Sequence, residues 1–110
     1  MLDLRVVNKY KKDLKLIYKQ NKNKDKLRTV VQLLLNNKQL PEIYKDHALT
    51  GNYIGSRECH IEPDWLLIYR IDKRNNLLVL ERTGSHSNLF ESSLYIKQLT
   101  QTLQTFLEGV

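Results

Sequence analysis

At 110 residues, 41% of them apolar and 27% charged, the chain fits one small soluble domain with a single core and leaves no room for two. No apolar run is long enough to span a bilayer and the first residues have no signal-peptide layout, so no membrane partner is expected. A lone cysteine, Cys59, excludes an internal disulfide and a cysteine-based zinc cluster, and a reducing cytoplasm is the expected compartment.

The net charge of +6 is unevenly placed: residues 1–45 hold 12 Lys/Arg against 4 Asp/Glu, and residues 46–110 hold 6 against 8. A basic half of this kind suits a polyanion or an acidic protein partner; the bland alternative is a solvated lysine-rich helix face.

In chain order, residues 2–7 alternate loosely and read as a first strand. From Asn8, Tyr10, Leu14, Ile17 and Tyr18 recur at helical spacing with lysines between them, and the helix should stop near Asn21. A second helix is predicted from Lys24 to about Asn36, with Leu27, Val30, Val31, Leu34 and Leu35 as its buried stripe. The two form a helical hairpin suited to covering one face of a sheet. Pro41 breaks the pattern, and residues 42–51 read as a loop. Strands are expected over 53–61, 61–71 and 77–80, the last two joined by the polar turn Asp72-Lys73-Arg74-Asn75-Asn76. After Phe90, Leu94, Leu99, Leu103, Phe106 and Leu107 predict an amphipathic C-terminal helix with Ser92 or Ser93 as its N-cap. The order β-α-α-β-β-β-α implies an α+β domain: a small, mainly antiparallel sheet covered by the N-terminal two-helix hairpin.

Polar, titratable residues stand at the strand edges. An antiparallel hairpin brings the start of its first strand beside the end of its second, so His60, Asp64 and His86 are expected at one end of the sheet, with His47 just upstream. Metal ligation is disfavoured, because no HxxxH or HxH pair lies on one element. A Cys59 nucleophile is disfavoured too: neighbouring strand residues point to opposite faces, so its thiol would turn away from His60 and into the core.

Acid–base chemistry on RNA suits the set better. It needs a base for the 2′-hydroxyl, an acid for the departing 5′-oxygen and cations for the phosphate, and imidazole, which titrates near 6.5 when unperturbed, serves both proton roles without a cofactor. Arg57, Arg70 and Arg82 are strand arginines able to grip a phosphate, and Phe90 or Trp65 to stack on an unpaired base. Against these stand plainer readings: loop histidines on the surface, Trp65 in the core, and arginines paired with Glu58, Glu62 or Glu81.

The segments DHALTG, RECHIEPDWLLIY and ERTGSHSNLF, with the two-helix region before them, resemble the YafQ group of RelE-type bacterial toxins over residues 1–91. The resemblance implies a RelE-like fold and a catalytic group of His47, His60, Asp64 and His86, with Phe90 orienting the message. It further implies a ribosome-dependent endoribonuclease that cuts mRNA in the ribosomal A site and is neutralised by a cognate antitoxin. The lysine-rich first helix, including Lys9 and Lys12, would then meet ribosomal RNA. Residues 92–110 depart from the group as a helical extension of the same domain. That helix would pack on its own sheet, pair with a second copy as a homo-oligomer, or lie where an antitoxin binds. The alternatives are a ParE-like toxin that inhibits a topoisomerase, for which three imidazoles have no use, and a catalytically inactive, antitoxin-binding relative.

Overall fold

The computed structural model describes residues 1–91. Strand β1 (Asp3–Val6) leads into helices α1 (Asn8–Lys19) and α2 (Lys24–Leu35); strands β2 (His47–Ala48), β3 (Arg57–Glu62), β4 (Trp65–Asp72) and β5 (Leu77–Gly84) follow. They form one sheet in the order β1-β5-β4-β3-β2, antiparallel except where β1 runs parallel to β5. The expected α+β arrangement is the one found. The C-terminal helix expected after Phe90, and with it the pairing of two copies, falls beyond the described residues.

Period-3.6 patterning places the helices. Tyr10 and Ile17 of α1 and Leu27, Val30 and Leu34 of α2 are buried, and they meet Trp65, Leu67, Tyr69, Leu78, Leu80, Cys59 and Ile61 on the covered face of the sheet, here termed the back. Tyr18, expected in the stripe, is 45% exposed; Lys24 Nζ lies 4.1 Å from its ring centre. Asn23 caps α2 by accepting from the Asp25 N–H, as its short polar side chain allows. On the opposite, front face a second cluster forms from Leu66, Ile68 and Leu89, with Leu49, Tyr53 and Phe90 packed against it.

Four boundaries differ from the sequence reading, the first being the last strand, expected over 77–80, which runs on to Gly84. The strand expected over 53–61 starts at Arg57, because Gly51–Tyr53 is a 3-10 turn ahead of Gly55, whose φ is +91°. The stretch 61–71 is not one strand: Pro63-Asp64 turns the chain, so Ile61 and Glu62 belong to the end of β3 and β4 begins at Trp65. The 42–51 loop contains the 3-10 turn Glu42–Tyr44 and the two-residue edge strand β2.

Two bulges set side-chain direction. The β3–β4 ladder slips between the pairs His60–Leu66 and Glu62–Trp65, and the β4–β5 ladder slips between Ile68–Arg82 and Tyr69–Leu80. The second leaves Glu81 as the extra residue and reverses the facing of everything after it. Thr83 thereby turns to the back, where its hydroxyl accepts from the Trp65 indole N–H at 2.9 Å and donates to the Leu66 carbonyl at 2.8 Å.

Candidate active site

The front face at the β3–β4 turn carries the imidazoles. His60 is the cross-strand partner of Leu66, and His47 that of Glu58, so both project to the front, away from the helices. Leu66 also pairs with Gly84 at the end of β5, which delivers His86 to the same corner. The ring centres of His47 and His60 are 6.4 Å apart and those of His60 and His86 5.6 Å, which makes a row with His60 in the middle. The structure thus gathers His47, His60, Asp64 and His86 at one end of the sheet.

Each ring is held by its Nδ1. His47 Nδ1 lies 2.8 Å from the Lys45 carbonyl, His60 Nδ1 3.2 Å from the Pro63 carbonyl, and His86 Nδ1 2.8 Å from Asp64 Oδ1. A carbonyl only accepts, so in His47 and His60 the hydrogen sits on Nδ1 and, in the neutral ring, Nε2 keeps its lone pair. Asp64 accepts from the His86 backbone N–H as well, at 3.0 Å, and these two bonds, the side-chain one first, hold its carboxyl below the usual carboxylate range.

Glu58 belongs to the site, although its sequence context reads as a mere ion-pair partner. It is 5% exposed, and its Oε1 lies 3.5 Å from His60 Nε2 and 3.7 Å from His47 Nε2. The signal was the strand period: positions 58 and 60 share a face. A ligating atom from each of Glu58, His60 and His86 lies within 4.8 Å of the others, a donor set of imidazole and carboxylate that suits borderline divalent ions.

The remaining candidates are distributed differently. Arg57 is on the back, its Nε and Nη2 donating to Asp46 Oδ2 at 3.1 and 2.9 Å, so it is not brought to the imidazoles. Arg82 leans to α1, where its Nε and Nη2 donate to the two carboxylate oxygens of Asp13 at 2.7 and 3.1 Å; Asp13 also takes the Thr83 N–H. That carboxylate raises the Arg82 guanidinium's pKa further and holds it charged. Arg70 is exposed five residues along β4 from Trp65, toward the far end of the sheet. Lys9 and Lys12 are exposed on α1, in the layer behind the sheet. Trp65 is fully buried and unavailable for stacking, whereas half-buried Phe90 packs edge-on against Tyr53 with ring centres 5.9 Å apart. Cys59 is fully buried, and burial pushes its thiol up to about 12, which leaves it protonated and inert at neutral pH.

Beside His60 and Asp64 opens a groove of about 700 Å³ lined by Lys22, Lys26, Tyr44, Lys45, Ile61 and Pro63. Lys22 and Lys26 both reach Glu62, at 3.5 and 2.9 Å. His60 is common to this groove and to the imidazole row.

Residues 2–91 match the family described as bacterial toxin of type II toxin–antitoxin system, YafQ. The mRNA interferase toxin YafQ of Escherichia coli K12 is 46% identical over 89 residues, which cover 80% of this chain and 95% of that protein. The crystal structure of the E. coli DinJ–YafQ complex superposes with a TM-score of 0.75 at 43% identity, over 82% of this chain and 99% of the other. A metal-bound toxin from Helicobacter pylori gives 0.78 at 44% identity, over 82% and 100%.

Proposed function

The chain belongs to the YafQ family of type II toxin–antitoxin toxins, and from that premise we propose that it is an mRNA interferase working by acid–base catalysis at the imidazole row. The observation that carries the reading is the common engagement of the three Nδ1 atoms, which leaves proton transfer to the Nε2 atoms, those of His47 and His60 standing beside Glu58. In the reaction the 2′-oxygen bonds to the adjacent phosphorus, a base removes its proton, the bond from phosphorus to the 5′-oxygen breaks, and an acid protonates that oxygen.

His86 is the acid. The Asp64 carboxylate accepts from its Nδ1–H and fixes the ring, so that Nε2 delivers the proton to the leaving oxygen. His47 is the base through Nε2, since a carboxyl held below its usual range and already accepting two bonds makes Asp64 a weak base and a good orienter. His60, between the two, meets the phosphate, and Glu58 behind it balances the positive charge that the row accumulates. The groove past His60 takes the continuing RNA strand, with Tyr44 for a base and Lys45 for the backbone. Phe90 stacks on the message at the other end.

The setting is the cytoplasm and the ribosomal A site, where the lysines of α1 meet ribosomal RNA while the opposite face meets the message. The resting partner is a cognate antitoxin, as DinJ is for the E. coli protein in their complex. Among the described residues no helix is long and apolar enough to cross a membrane.

The deciding experiment is primer extension on a translated reporter after brief expression of the wild type and of His86→Gln. Discrete in-frame cuts that vanish in the variant, together with loss of growth arrest, are expected. Growth arrest with intact message would overturn the nuclease reading and favour a ParE-like target.

A further inference from the structure

His47 occupies the least secure position of the row. Its strand is two residues long and lies at the sheet edge, and its side chain is 50% exposed, so packing alone does not fix its rotamer. Its neighbour Asp46 points the other way. On the back of the sheet Asp46 Oδ2 accepts from Arg57 Nε and Nη2, and Oδ1 accepts from the Tyr69 hydroxyl. Arg57 and Tyr69 are direct cross-strand partners on β3 and β4, so this carboxylate is bolted to two central strands at once. Tyr69 is 1% exposed; burial first, then Asp46, pushes its phenol well above the ordinary range, so it stays a donor.

One residue earlier, Lys45 adopts the left-handed conformation, φ +49° and ψ 43°, which a lysine holds only when its surroundings impose it. That conformation presents the Lys45 carbonyl to His47 Nδ1. Back-face anchor, left-handed residue and front-face imidazole are thus three consecutive positions.

The geometry points to Asp46 as a positioning residue for the proton-transfer step: with Arg57 and Tyr69 it locks the 45–47 segment so that His47 is held in the Nδ1–H form with Nε2 on the site. This rests on the reading of His47 as the base. It also assigns Arg57 a purpose other than phosphate binding, since its fork is committed to Asp46. Asp46 touches neither substrate nor reacting atoms; it acts through His47 by removing conformations in which the ring faces solvent.

The test uses Asp46→Asn and the milder Tyr69→Phe, which keeps the Arg57 bond. Both are assayed by single-turnover cleavage on ribosomes programmed with a reporter message. Long-range proton–nitrogen spectra of the imidazoles of the folded protein report the tautomer. For Asp46→Asn the cleavage rate should fall tenfold or more with the half-saturating ribosome concentration unchanged, and His47 should lose its single Nδ1–H signature. Tyr69→Phe should show the same two changes, smaller, while His60 and His86 keep their signals. Wild-type cleavage abolished by His86→Gln establishes the underlying reading in the same assay. If that control holds and both variants cleave at the wild-type rate with His47 still in one tautomer, Asp46 is no positioning residue. A rate loss with the His47 signature intact would overturn the proposal equally, because it would mean Asp46 acts by another route.

Discussion

Asp64 accepts two hydrogen bonds from one residue, His86, through its backbone N–H and its Nδ1. The carboxyl is 70% exposed, yet those bonds keep its pKa below that of a free aspartate. The sign of the linkage follows: a depressed folded-state value contributes stability above the unfolded value, and that contribution disappears as pH falls through the folded one. Asp64→Asn should therefore melt below wild type near pH 5, with the gap closing as the solution is made more acidic than the folded-state value; a gap constant down to pH 2 would show that the charge is not what holds the corner. At this scale the sequence showed the imidazoles and Asp64 and missed the other two supports. Titratable residues at strand edges announce themselves, but Glu58 and Asp46 stand in ordinary strand and loop contexts. Their roles depend on which neighbour each faces across the sheet.

Among the elements, the helices were legible because a 3.6-residue stripe is a local pattern. The bulge at Glu81 was not, since it exists only in the pairing of β5 with β4. It sets Arg82 opposite Ile68 and Thr83 opposite Leu67, and one carboxylate, Asp13, ties helix to strand through Arg82 Nε, Arg82 Nη2 and the Thr83 N–H. The Arg82 and Asp13 side chains are 19% and 15% exposed, so the pair is mostly shielded from solvent. Removing one member strands a guanidinium and a backbone donor. Asp13→Ala should cost about 2–4 kcal/mol, counted as a charged hydrogen-bond pair left unmatched. In a domain of this size that lowers Tm by about 10–20 °C, read by thermal denaturation. A loss under about 0.5 kcal/mol would place the pair with ordinary surface ion pairs. Gly84 contributes at the same strand end: a Cβ there would meet the Leu89 side chain at 3.4 Å, where residues 87–91 fold back as a π-helical turn.

For the whole molecule, the charge asymmetry seen in the composition becomes a division between faces. The exposed lysines of α1 lie behind the sheet and the imidazole row in front, so on the proposed function backbone affinity and chemistry are separated by the thickness of the sheet. Neutralising Lys9 and Lys12 to Ala should weaken engagement with ribosomes and leave the single-turnover rate at saturation nearly unchanged. The slope of log affinity against log salt should fall by about 1–2, the release expected for two phosphate contacts. An unchanged slope would mean that α1 faces solvent in the complex. Composition disclosed the asymmetry but could not say which face it occupied, because that depends on the layer order of the fold.

The strand Glu58-Cys59-His60-Ile61 alternates chemistry and core residue by residue. A slip of one position would turn an imidazole and a carboxylate into the helix-covered core and a thiol and an isoleucine onto the front face. On the proposed function, activity is thus conditional on correct register: a mispaired chain carries every residue of the site without their arrangement.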